Sequence, residues 1–275
     1  MDAVRDGRWI RQPNAFTEPL GPPEPGRYRL YASYACPWAQ RVLIVRELLG
    51  IQDLLEAMIV DPIRDERGWR VPGGAFLSEL YLATDPDFRG RYTVPCVWDV
   101  KEERIVTNDF PRITLDLETR WGGALDLYPE ELRGEIDALN DRLYHGLNNA
   151  VYEAGFARSQ EAYEEAVRKV FATLDFLEER LSGREFLFDR LTESDVRAYT
   201  TLVRFDTVYH THFKCSLRRL TDYPALWSYT RRLYAIPAFR ETTDFDHIKR
   251  HYYLTQTNLN PSRLVPLGPE LDWSL

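Results

Sequence analysis

The sequence predicts an α/β domain followed by an all-α domain, and three observations predict it. A short β run passes straight into a helical pattern at Cys36-Pro37. A second β-rich stretch, opening on Thr93-Val94-Pro95, is followed by a hairpin partner and another helix. From Pro129 onward strand signals give way to long amphipathic patterns. With 275 residues there is chain enough for two ordinary cores. The predicted domains are residues 1–122, with an N-terminal lead and an insertion, and residues 123–275, with a C-terminal tail.

After a lead containing Pro13, Pro19, Pro22, Pro23 and Pro25, residues 27–33 read as a strand. Residues 37–49 carry apolar side chains at helical spacing, with Pro at the first helical position and Gly50 as the stop. Residues 55–60 make a second strand. The Gly- and Pro-containing stretch up to Gly90 has no strong periodicity before residues 76–82 and reads as an insertion. Residues 93–99 and 104–107 are strands joined by a turn through 101–103, and a helix over 110–120 follows. In the second half, helices are predicted over 130–147, 160–181, 193–209 and 224–234, and near 245–251. Thr192-Glu193-Ser194-Asp195 has the form of a capping box with Asp in place of Glu, so a helix begins there. An irregular tail contains Pro261, Pro266 and Pro269.

Composition narrows the function. A chain that is 44% hydrophobic and 28% charged is that of a soluble globular protein. Thirty-five basic against 43 acidic residues give a formal charge of -8, which is the wrong sign for a phosphate-binding surface, so nucleic acid is not an expected partner. No run of about 18 apolar residues is present, so no membrane partner is expected. The opening MDAVRDGRWIRQPNAF has no apolar core of a secretion signal, which makes the cytoplasm the expected location. Cys36, Cys96 and Cys215 are too few and scattered for a disulfide framework, and no Cys/His spacing suggests a metal site.

Cys36 sits where a strand becomes a helix, so its sulfur faces the free N–H groups of the first turn. The positive end of the helix dipole favours a thiolate there. The alternative is a helix-start cysteine with only a packing role. Val94-Pro95 argues against that alternative. A proline entering a paired strand is tolerated where its peptide bond is cis or its N–H is not needed. In a thioredoxin-like domain, whose βαβ-ββα order this is, such a loop faces the cysteine. It offers the Val94 backbone to a peptide-like thiol in strand fashion. Ala39 stands where a dithiol enzyme carries its resolving cysteine, so a monothiol mechanism with an external thiol follows. Cys96 and Cys215 read as structural.

Several long motifs carry a resemblance over nearly the whole chain: Y-A-S-Y-A-C-P-W-A-Q-R (31–41), G-R-Y-T-V-P (90–95), L-N-N-A-V-Y-E-A-G-F-A (147–157), R-F-D-T-V-Y-H-T-H-F-K-C (204–215), D-F-D-H-I-K-R-H-Y-Y (244–253) and N-P-S-R-L-V-P-L-G-P (260–269). In these the chain resembles the glutathionyl-hydroquinone reductases, the xi class of glutathione transferases. The resemblance implies a glutathione-transferase fold, thioredoxin-like then helical, in a homodimer. It implies glutathione as co-substrate, no metal, and an aromatic quinone or hydroquinone conjugate as the other small-molecule partner. Cys36 is then the nucleophile, and Tyr152, Tyr209 and Tyr252 match the tyrosines lining the hydroquinone site, where a phenol donates to ring oxygens or moves a proton. Trp69, Arg91, Val94 and Asp109 match the thiol-binding positions. Without the resemblance, the tyrosines read equally well as core or interface aromatics, Trp69 as packing within the insertion, and Arg91 as a solvated charge.

One departure stands out. Where the family has Glu-Ser at the head of its third helix, this chain has Asp109-Phe110, followed by Pro111. The acid is kept, but a hydroxyl and an N–H are lost, a change of about 1.5–3 kcal/mol at a charge-assisted site. That leaves another low-molecular-weight thiol, such as mycothiol, as an alternative co-substrate. Thiol-disulfide exchange on glutathionylated proteins is a second reading, and a non-catalytic binding protein on the same fold a third.

Overall fold

The computed structural model describes residues 3–275. They form two compact units, and the chain passes between them at 11/12, 126/127, 240/241 and 255/256. The sequence-based division at 122/123 assigned each unit one continuous stretch. The structure instead places the N-terminal segment through Arg11 in the second unit and Glu241–Thr255 in the first.

The chain opens on a hairpin, β1 (Ala3–Arg5) and β2 (Arg8–Ile10). Its turn residues Asp6 and Gly7 both have positive φ, 50° and 74°, the conformation a two-residue hairpin turn requires. The first unit then builds β3 (Tyr28–Ala32), α1 (Pro37–Leu49), β4 (Leu55–Ile59), a small hairpin of β5 (Arg64–Asp65) and β6 (Gly68–Trp69), α2 (Leu77–Thr84), β7 (Cys96–Asp99), β8 (Arg104–Thr107) and α3 (Phe110–Asp116). The four-stranded sheet has the order β4-β3-β7-β8, with β3 and β4 parallel and the remaining pairs antiparallel. This is the thioredoxin-like arrangement expected. The predicted insertion resolves into the β5–β6 hairpin and α2.

α1 has the limits its sequence dictates. Pro37 occupies the first helical position, and Gly50 stops the helix in a left-handed conformation at φ 71°. The Gly50 and Ile51 N–H groups turn back to the Glu47 and Arg46 carbonyls, closing the last turn. Ten of its thirteen residues are buried. Each fully covered Val, Leu or Ile there contributes about 1.5–3 kcal/mol, so the helix is fixed by packing.

The second unit contains α4 (Arg133–Leu143), α5 (Ala150–Phe156), α6 (Gln160–Arg180), α7 (Glu193–Leu202), α8 (Pro224–Ala235) and the short α9 (Pro237–Arg240). The helix predicted over 130–147 begins as a 3₁₀ turn at Glu130–Leu132 and passes through a π-helical turn at Tyr144–Asn148 into α5, which was not predicted as an element. The pattern at 193–209 likewise breaks into α7 and a π-helical turn at Phe205–Tyr209.

The capping box forms as expected. Fully buried Asp195 accepts from the N–H of Thr192 and of Leu187 and from the hydroxyls of Thr192 and Tyr229, all within 2.9 Å. Burial pushes its carboxyl up from the ordinary carboxylate range, and these donors pull it back. The chain then re-enters the first unit as α10 (Phe245–Thr255).

Candidate active site

In the first unit the chemistry gathers at the β3–α1 junction. Cys36 is the N-cap residue of α1, in extended conformation at φ -86° and ψ 117°. Its N–H donates to the Ser33 carbonyl at 3.1 Å, and its carbonyl accepts from Gln40 at 2.9 Å. The side chain is partly exposed, and Sγ–H donates to the Val94 carbonyl at 3.4 Å. The Val94–Pro95 peptide is cis. Two of the predicted residues, Cys36 and Val94, are therefore in direct contact.

The other two cysteines are enclosed. Cys96 and Cys215 are fully buried, and desolvation pushes both thiols up, that of Cys215 to about 12.

α10 and the residues leading into it pack against the cysteine segment. Gln40, one turn into α1, donates to the Thr242 carbonyl at 3.1 Å and the Thr243 hydroxyl at 2.8 Å. Tyr34 meets His247 edge-on, with centroids 5.8 Å apart. Farther along α10, His251 stacks on Trp69 at 4.6 Å and contacts the Pro62 carbonyl through Nδ1. Trp69 is thus 4% exposed, with one indole face closed by His251. Tyr252, next in sequence, is 1% exposed. Arg91 is half-buried, and its N–H donates to Gln12 Oε1 at 2.9 Å.

At the head of α3, Asp109 is the N-cap residue but makes no side-chain cap bond. Its carboxylate accepts from Asn14 Nδ2 at 2.9 Å. Its own N–H goes to Thr107 Oγ1, the Phe110 N–H to the Asn108 carbonyl, and Pro111 has none. The Phe110 ring packs on Trp38, centroids 4.4 Å apart. The first-turn amides that a bound carboxylate would use are therefore engaged within the protein.

Behind the Val94 loop lies a polar knot that sequence reasoning missed. The buried Tyr81 phenol binds Thr93 through both backbone groups and also meets Asn108. No local motif announces it, because its members are far apart along the chain.

The second unit holds an aromatic group around the other two predicted tyrosines. The Tyr152 and Tyr209 rings lie 6.0 Å apart, and both contact Phe213 at 5.3 and 5.4 Å. Gly155 permits this, since a β-carbon there would stand 2.4 Å from the Phe213 ring. Trp9 stacks on Tyr152, and the Arg11 guanidinium sits 4.9 Å from each of those two rings while Nε donates to Asn149 Oδ1. Trp9 and Arg11 also escaped the sequence reading; their approach to Tyr152 depends on the hairpin.

Comparison with known proteins agrees with this architecture. Residues 35–120 match the family described as "Glutathione S-transferase, N-terminal domain", and residues 160–232 match "Glutathione S-transferase, C-terminal domain". The chain is 45% identical to the glutathionyl-hydroquinone reductase PcpF of Sphingobium chlorophenolicum, over 96% of this chain and 90% of that protein. It is 44% identical to the glutathionyl-hydroquinone reductase YqjG of Escherichia coli, over 90% and 81%. The crystal structure of the xi glutathione S-transferase from Phanerochaete chrysosporium superposes with a TM-score of 0.94 at 43% identity, covering 97% of this chain and 95% of that one. The glutathione-bound structure of YqjG superposes with a TM-score of 0.89 at 42% identity, covering 98% and 96%.

Proposed function

We propose, from the premise that this chain belongs to the glutathionyl-hydroquinone reductases, the xi glutathione transferases, that Cys36 reductively strips glutathione from a glutathionyl-hydroquinone. The Cys36 thiolate attacks the thioether sulfur, and the sulfur–carbon bond breaks. The aromatic carbon leaves with the electron pair and is protonated to the free hydroquinone. A Cys36–glutathione disulfide remains. A second glutathione attacks it, releasing glutathione disulfide and regenerating the thiolate. Covalent catalysis divides one difficult reduction into two thiol displacements. Tyr152, Tyr209 and Tyr252 hydrogen-bond the ring oxygens or supply the proton. Trp69, Arg91, Val94 and Asp109 hold the thiol, Val94 through its backbone. The working state is a cytoplasmic homodimer, whose mass sedimentation would report.

The observation that carries this reading is the placement of Cys36 at the cap of α1, its sulfur against the Val94 carbonyl. The test is to mix purified protein with a glutathionyl-hydroquinone and glutathione, follow release of the free hydroquinone, and run Cys36→Ala in parallel. Activity surviving in the variant removes Cys36 from the mechanism.

A second reading, a different low-molecular-weight thiol such as mycothiol, is favoured by the head of α3, where Phe110 fills space against Trp38 and the backbone donors are engaged. The same assay with each thiol separates the two.

A further inference from the structure

We infer that Tyr81 is a positioning residue for the thiol reaction: its buried phenol fixes the Thr93–Val94 backbone so that the Val94 carbonyl meets the Cys36 sulfur. The inference rests on the reading of Cys36 as nucleophile.

Tyr81 lies on α2 and is completely buried. Its hydroxyl donates to the Thr93 carbonyl at 2.8 Å and accepts from the Thr93 N–H at 3.2 Å and from Asn108 Nδ2 at 3.0 Å. One phenol therefore uses its single proton and both lone pairs on the approach to the Val94 loop. Asn108 passes the constraint on, its Oδ1 accepting from the N–H groups of Ala15 and Phe16. The rings of Phe16, Phe88 and Tyr92 pack around Tyr81 at 5.0 to 5.6 Å, so the phenol cannot swing away.

The consequence for Val94 follows from peptide geometry. The Thr93 carbonyl and the Val94 N–H belong to one planar unit and point in opposite directions. Holding the Thr93 carbonyl on Tyr81 fixes this peptide plane, from which only the φ and ψ of Val94 separate the next carbonyl. That next carbonyl is the acceptor for Cys36 Sγ–H at 3.4 Å. It is also the group expected to pair with the backbone of a peptide-like thiol. Cys36 and the incoming thiol thus share one acceptor, and Tyr81 holds it in place for both.

Tyr81→Phe keeps the ring and removes the bonds made by its hydroxyl. An acceptor for S–H stabilises the protonated thiol, so its loss lowers the pH midpoint of Cys36 alkylation by iodoacetamide, by about half to one pH unit. Weakened pairing raises KM for the thiol about 5- to 10-fold while kcat stays within about twofold. Tyr229→Phe, which deletes a buried phenol bonded to Asp195 in the second unit, is the stability control and should move neither readout. Unchanged alkylation and KM in a folded Tyr81→Phe protein overturn the inference, as does an equal change in Tyr229→Phe. Should Tyr81→Phe fail to fold, amide exchange in the unmodified protein decides: Thr93 protected like a sheet amide supports the latch, and rapid exchange overturns it. Alkylation requires no aromatic substrate, so it stands apart from the turnover assay, in which an active Cys36→Ala protein would sink the proposed reaction instead.

Discussion

Phe110 lies against Trp38, with ring centroids 4.4 Å apart and both residues buried. The first residue of α3 is thereby fastened to the first turn of α1, two positions beyond Cys36. Phe110 also stands where the proposed glutathione site would use a hydroxyl. Phe110→Ser should tighten glutathione binding by about tenfold or more, the worth of one charge-assisted hydrogen bond, as read by titration calorimetry. The same variant should lose about 3–5 kcal/mol of stability from the vacated ring, seen as a lower melting temperature. Unchanged glutathione affinity would assign the residue to packing alone.

Substituting Cys36 should have a larger effect. Cys36→Ala and Cys36→Ser should each lower kcat for hydroquinone release by about 10³-fold or more while leaving the melting temperature nearly unchanged. Mass spectrometry of the unmodified enzyme, quenched with conjugate but no free thiol, should find one glutathione on Cys36. A label on Cys96 or Cys215 would contradict their burial.

The tyrosines separate two reactions. Tyr152→Phe should lower hydroquinone release about 10²-fold, the usual scale for a lost proton donor, and leave exchange with a glutathionylated peptide within about twofold. Tyr252→Phe should behave alike. Equal losses in both assays would tie the rings to folding, and no loss in either would favour plain thiol-disulfide exchange.

His212 gives the second unit an acid-sensitive element. Burial disfavours its imidazolium and lowers its pKa from the usual 6.5, while Nε2 meets Gln256 Oε1 at 2.9 Å. The unfolded chain then binds the proton more readily than the folded one. Stability from this group is present above the unfolded pKa and is lost as pH falls through the folded value. The melting temperature should therefore drop on acidification from about pH 7 to about pH 5, and His212→Gln should make that drop shallower. Parallel pH curves for the two proteins would refute the assignment.

The legible parts of the molecule are those whose causes are local. α1 runs from Pro37 to Leu49 because proline and glycine bracket it, and α7 starts where Thr192 and Asp195 cap it. The β7–β8 hairpin and the cis bond before Pro95 are local too. The first hairpin was missed because its strands have three residues each, although Asp6-Gly7 is a turn signal. α5 was missed because a π-helical turn interrupts the 3.6-residue period just before it. Cys36, Val94 and Pro95 could be read from motif chemistry. Tyr81, Trp38 and Arg11 could not, since each meets its partners only through the fold.

The membership of the two chain ends bears on the order in which the protein can be completed. The unit bearing Cys36 is synthesised early, yet it lacks α10 until residue 255 has been made, after all the helices from α4 to α9. Until then Trp69 has no His251 above it, and Gln40 has no Thr242 or Thr243 to receive its amide. The N-terminal hairpin waits in turn for α5, whose Tyr152 and Phe156 receive Trp9. On the ribosome the unit bearing Cys36 follows the other unit's hairpin and is finished only after that unit's helices have been made, so a fragment cut at residue 126 would be an unfinished half rather than a smaller enzyme.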